Sequence, residues 1–139
     1  MTSNYQSSKE YLQQVWMIKN DIDRKYEQIA TIRSMTAQTT SSHEVVRAGK
    51  VQNYSKIENA MIELIIIENE LEESITEYTE KYREICAVID GVENPMYRRL
   101  LALRYLSFMP WKDIAADMNY TYRHITRMHG DALRQIRNK

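Results

Sequence analysis

Chain breakers are scarce in this sequence: 139 residues hold only three glycines and two prolines. That scarcity disfavours a fold of many short strands joined by tight turns and favours long helices. The lone cysteine, Cys86, excludes an internal disulfide. Set among Ile85, Val88 and Ile89, it reads as a buried thiol, with no histidine or carboxylate placed to activate it. No apolar run approaches the roughly 20 residues that a membrane span requires. The opening segment, Met1 to Lys9, is polar and lacks the hydrophobic centre of a signal peptide. The expectation is therefore a cytoplasmic protein with no membrane partner. Three scattered histidines, no glycine-rich phosphate loop and no Cys/His cluster leave no basis for a catalytic site, a metal site or a cofactor. The acidic run Glu68, Glu70, Glu72 and Glu73 reads as a solvated helix face.

The formal net charge is zero, but its distribution is uneven. Residues 1–95 carry ten Lys or Arg against sixteen Asp or Glu, a balance of minus six. Residues 96–139 carry nine against three, a balance of plus six. A basic end suited to phosphates is joined to an acidic body that phosphates would repel.

Within the acidic part, two heptad-like stripes predict two long amphipathic helices. The first runs from about Ser8 to Met35 through Tyr11, Val15, Ile18, Ile22, Ile29 and Ile32, with Lys25 interrupting the series. The second runs from about Ser55 to Asp90 through Ile57, Leu64, Leu71, Tyr78 and Ile85, flanked by Met61, Ile75, Tyr82 and Ile89. Such helices cannot bury their stripes alone, so the expectation is an antiparallel hairpin over residues 1–92 that also mediates homo-oligomerisation. Thr36 to Asn53, rich in Thr, Ser, Gln and Asn, reads as the connecting loop.

Residues 93–139 read as a separate helical module. Asn94-Pro95 starts a helix carrying Leu100, Leu103 and Leu106 inward and Arg98, Arg99 and Arg104 outward. Pro110 opens the next helix, whose inward face is Ile114, Ala115 and Met118, with Trp111 plugging the core. Asn119 tolerates the left-handed backbone needed to turn the corner, and Thr121 is an N-cap for the last helix. Ile125, Met128, Ala132, Leu133 and Ile136 recur there at helical spacing. This is the pattern of a helix-turn-helix, whose outer face, here Tyr122, Arg123, Thr126 and Arg127, enters the major groove of DNA.

Three blocks carry a family resemblance: Leu100 to Leu106, Trp111-Lys112-Asp113-Ile114-Ala115, and Asn119 to Ile125, with Ala132 to Arg137 as the close. They resemble region 4 of bacterial sigma factors. With the two preceding helices, the whole chain resembles small phage and prophage proteins of Gram-positive bacteria, similar to the ArpU and RinA type of late-gene transcriptional regulators. The resemblance implies an all-α fold and sequence-specific binding of double-stranded DNA, with RNA polymerase as a further possible partner. It implies base reading by Tyr122, Arg123, Thr126 and Arg127. Phosphate contacts fall to Arg98, Arg99, Lys112, Thr121, His129, Arg134 and Arg137. The chain departs from sigma factors at Arg123, where an acidic reader is common, and at Thr126, where arginine is common, so an ordinary promoter −35 element is not the expected target. Two alternatives stay open: a DNA-packaging recognition subunit of the small-terminase kind, and a sigma mimic that binds polymerase.

Overall fold

The computed structural model describes residues 4–41 and 49–136. All regular elements among them are helices: α1 (Asn4–Leu12), α2 (Gln14–Ser41), α3 (Gly49–Asp90), α4 (Pro95–Tyr105), α5 (Trp111–Met118) and α6 (Tyr122–Arg134). The all-α expectation holds. Between α1 and α2 lies a one-residue irregularity at Gln13, where the bonds Gln13 N to Lys9 O (3.0 Å) and Met17 N to Gln13 O (3.1 Å) keep the helical ladder running.

The long helices reach further than the stripes predict. α2 continues to Ser41 and α3 begins at Gly49, so most of the predicted Thr36–Asn53 loop is helical and only residues 42–48 lie outside the described residues. Polar composition misleads here because no proline interrupts the ladder. The hydroxyl of Thr36 is also satisfied inside the helix, donating to Ile32 O at 2.9 Å. Among the described residues no helix is long and apolar enough to cross a membrane.

The contacts divide the chain into two units, residues 20–76 and residues 1–19 with 77–139. These compact units differ from the division at 92/93 read from the sequence. The C-terminal helices share one core with α1 and the end of α3, because three short helices alone leave too little apolar surface to enclose.

In the unit of residues 20–76, the core is Ile29, Ile67 and Leu71, with Ile22, Ile32 and Leu64 partly buried against it. Cross-contacts run in opposite chain order: Lys25 Nζ donates to Ser74 Oγ at 3.2 Å, and Arg33 Nη2 lies 3.2 Å from Glu68 Oε1. Along α3 the inward seam alternates Ile57, Leu64 and Leu71 with Ala60, Ile67 and Ser74, half-buried up to Leu64 and buried from Ile67 on. Met61 and Ile75, read from the sequence as flanking the stripe, are 57% and 41% exposed. The interruption at Lys25 is a polar insert in the seam. Its ammonium bonds to Asp21 and to the buried Ser74, and this holds the Asp21 carboxyl below its ordinary value.

The other unit encloses Leu12, Val15, Ile85, Leu100, Leu101, Ile114, Ile125 and Leu133 at zero exposure. Periodicity places Leu100 in this core, whereas Leu103 and Leu106 are half-buried and Leu101 and Tyr105 take the inner positions instead. The Ser107–Pro110 turn contains Phe108 at φ 58°, a conformation that costs a residue bearing Cβ about 1–2 kcal/mol. Packing of its ring against the core offsets that strain, and Lys19 Nζ sits 5.7 Å from the ring centre.

Candidate nucleic-acid interface

The segment from Trp111 to Arg134 is built from three local devices. Pro110 sits at the N-cap of α5 with φ −63° and ψ 150°, where its missing N–H is no loss. Asn119 ends α5 in the left-handed region, φ 59° and ψ 40°, its N–H reaching the carbonyls of Ala115 and Ala116. Thr121 then caps α6, its hydroxyl accepting from His124 N at 3.1 Å. Three residues, 119–121, thus turn the chain between helices, and Ile114, Ala115 and Met118 of α5 share a core with Ile125, Met128, Ala132 and Leu133 of α6.

The outward face of α6 carries Tyr122, 61% exposed, with Arg123, Thr126 and Arg127, all exposed. Thr126 is engaged internally, donating to Tyr122 O at 2.9 Å. Arg123 and Arg127 make no hydrogen bond or ion pair among the described residues. Lys112 on α5 is likewise exposed and unpaired. The neighbouring rings of Tyr120 and His124 lie 4.6 Å apart and brace the start of α6.

Three of the other cations expected at phosphates, Arg98, Arg99 and Arg134, are already engaged, as is Arg104 beside them. Arg99 Nη2 is 2.7 Å from Asp117 Oδ2, which links α4 to α5, and Arg134 Nη1 is 2.8 Å from Asp131 Oδ1. Arg98 turns back to the α3–α4 connection, donating to Val92 O at 2.7 Å and Glu93 O at 3.0 Å. Arg104 donates to Met109 O at 3.0 Å and stacks on Trp111, 4.5 Å from the ring centre. Arg137 lies outside the described residues.

His129 requires a correction. The sequence reading sets it at phosphate, but only 4% of it is exposed, and its Nε2 lies 2.6 Å from the Tyr105 hydroxyl. The Trp111 ring meets it edge-on at 4.4 Å. Burial first, then the charges of Lys9 and Arg104, pull its pKa down from 6.5 to about 4. The signal was present in the spacing: His129 follows Ile125 by four and precedes Ala132 by three, which places it on the buried stripe. Tyr105, Arg104 and Trp111 form the rest of this cluster, and neither charge nor motif in the sequence singles them out together.

A groove of about 1230 Å³ is lined by Tyr11, Glu84, Val88, Val92, Pro95 and, at the end of α6, Arg134 among others. Lys81 bonds to Glu84 at 2.9 Å and lowers its pKa, while burial and the bond to Glu84 raise that of Tyr11. Cys86, read as buried, is half-buried. Among the described residues no group of three or more His, Cys, Asp or Glu could hold a metal.

The architecture is that of a small all-α protein with a short cation-bearing helix set by a three-residue turn. The family model of DUF1492, described as a protein of unknown function, matches residues 37–136, which is 100 of the 139 residues, and the chain belongs to that family. No curated protein and no solved structure matches it.

Proposed function

We propose that this protein is a sequence-specific double-stranded DNA-binding regulator of transcription, in which α5 and α6 act as a helix-turn-helix and α6 enters the major groove. In this reading α2 and α3 form a helical hairpin, and α4 to α6 form a reading module similar to sigma factor region 4. The observation that carries it is the contrast among the arginines. Arg99 and Arg134 are neutralised by neighbouring carboxylates, and Arg98 and Arg104 hold turns, yet Arg123 and Arg127 stand exposed and unpaired on α6. Four residues apart on a helix, they share one ridge, with Cβ atoms about 5–6 Å from each other. Each guanidinium fork is suited to the two acceptors of a guanine edge, a pairing worth about 1–3 kcal/mol of discrimination. Exposed Tyr122 adds an apolar ring with a hydroxyl at the first turn. Lys112, and Thr121 at the helix N-terminus, are placed to position the phosphate backbone rather than to read sequence. The similarity to ArpU and RinA type regulators supports a phage or prophage setting.

Selection of bound duplexes from a random pool, followed by titration at two salt concentrations, tests the proposal. Arg123→Ala or Arg127→Ala is expected to cost about 1–3 kcal/mol on the selected duplex and much less on random DNA. Lys112→Ala should weaken all duplexes alike and flatten the salt dependence by about one unit. Equal losses on selected and random DNA refute base reading, and absence of duplex binding at low salt refutes the function.

A further inference from the structure

The unit of residues 20–76 has two unlike sides. Taking Ile22 and Ile29 on α2 and Ile57, Leu64 and Leu71 on α3 as the first positions of successive heptads, the pair Arg33–Glu68 marks one side of the seam. On that side α3 exposes Met61 (57%), Ile65 (58%) and Ile75 (41%). α2 presents Tyr26, 52% exposed, with the small residues Ala30 and Ala37 at steps of four and seven. The opposite side carries a groove lined by Arg24, Glu27, Gln28, Glu63 and Glu70, with Ile66 (48%) exposed in it, while Met35 (61%) and Ile62 (56%) are exposed outside the stripe. A solvated helix needs no second apolar stripe at heptad spacing, and α3 has one.

We infer that this side is the interface of a homodimer, in which the α2–α3 pair of one copy stacks on that of a second copy to make a four-helix bundle. The size is sufficient. From Tyr54 to Ile75 the stripe runs about 32 Å at 1.5 Å per residue, across two helices about 10 Å apart. That is roughly 600 Å² per copy and 1,200 Å² in total, the lower bound of a specific interface.

Charge chooses the arrangement. Between Ile57 and Thr76, α3 carries six glutamates and no Lys or Arg, and Glu58, Glu68 and Glu72 interleave the apolar stripe itself. α3 on the partner's α3 would set these carboxylates against each other. From residue 20 to 38, α2 carries three acids and three bases, Arg33 on the same side as the stripe. α3 on the partner's α2 therefore brings the isoleucines over small alanines and the glutamates toward a helix of balanced charge. Two-fold symmetry then repeats the same contact twice.

Sedimentation of the full chain without DNA keeps this inference separate from the proposed DNA binding. The expected result is a dimer at tens of micromolar. Ile65→Glu should raise the dissociation constant at least tenfold with unchanged far-UV helix content, and Ile66→Glu on the opposite side should leave the dimer intact. In a Cys86→Ser background, Ala30→Cys mixed with Ile65→Cys is expected to give the intermolecular disulfide, and Ile65→Cys alone is not. A monomeric chain, or a dimer insensitive to Ile65→Glu, overturns the interface. A preferred disulfide between the two copies of residue 65 overturns the α3-on-α2 arrangement.

Discussion

Lowering the pH should strip stability from this protein through one side chain, His129. In the folded chain its ring is enclosed by Tyr105 and Trp111 and its pKa is about 4, against 6.5 for the free side chain. The sign follows from which state binds the proton first. As pH falls below 6.5 the unfolded chain protonates His129 while the native chain does not, so stability is fully present above that value and is lost until the native ring also titrates near 4. Between pH 7.5 and 4.5 the loss is about 2.5 kcal/mol, a large share of the 5–15 kcal/mol typical of a domain. Asp21 and Glu84, whose pKa values are lowered by Lys25 and Lys81, contribute losses of the same sign at the acid end, so the His129 share must be isolated by difference. Urea unfolding followed by Trp111 fluorescence in a Trp16→Phe background, with and without His129→Gln, provides it. Glutamine offers a hydrogen bond to Tyr105 and does not titrate across this window. The variant should be less stable than wild type at pH 7.5 and should close or reverse that gap by pH 4.5. Parallel pH profiles would refute the reasoning and show that the ring has room to protonate in the folded chain.

Two further perturbations test how the fold is held. Thr121→Ala removes the hydroxyl that accepts from His124 N and should cost about 1 kcal/mol in urea unfolding, while Asn119→Val, forcing a β-branched residue to φ 59°, should cost more than that and Asn119→Gly almost nothing. Lys25→Glu places a second carboxylate beside Asp21 and Ser74 and should destabilise the unit of residues 20–76 by about 1–2 kcal/mol, whereas Lys25→Met, which trades a half-exposed ion pair for apolar contact, should fall within about 1 kcal/mol of wild type.

Periodicity carried the fold and misplaced its boundaries for identifiable reasons. Breaker scarcity and stripes of period 3.6 gave the helices, and local rules gave the capping residues Asn94, Pro110, Asn119 and Thr121, because each acts within a few residues of itself. The grouping of α1 and the end of α3 with α4 to α6 was not legible, since Leu12 and Ile85 acquire their partners only through contacts far along the chain. The predicted loop at Thr36–Asn53 failed because polarity marks exposure, not the end of a helix. A missing donor or a residue that tolerates the left-handed region, such as Gly or Asn, is the local signal that ends one, and the stretch up to Ser41 contains none.

The site was read unevenly for a related reason. An arginine in a sequence is a charge, and its availability depends on carboxylates and carbonyls that other elements bring to it. Arg99 and Asp117 are 18 residues apart and belong to different helices, so nothing local reveals that the pair is closed at 2.7 Å. Arg98 and Arg104 are drawn to carbonyls at chain turns whose geometry is set by the helices on either side. Arg123 and Arg127 escape both fates because α6 places the next acid, Asp131, beside Arg134 instead. Among the described residues, the cations able to contact a polyanion without first breaking an internal bond are therefore only some of the basic side chains of the C-terminal helices. If salt dependence is governed by the charges that meet phosphate, its slope should follow this smaller set, and Asp117→Ala, by releasing Arg99, should steepen it by about one unit on every duplex. A slope unchanged by Asp117→Ala would mean that Arg99 already exchanges its carboxylate for phosphate at no cost, or that it faces away from the duplex altogether.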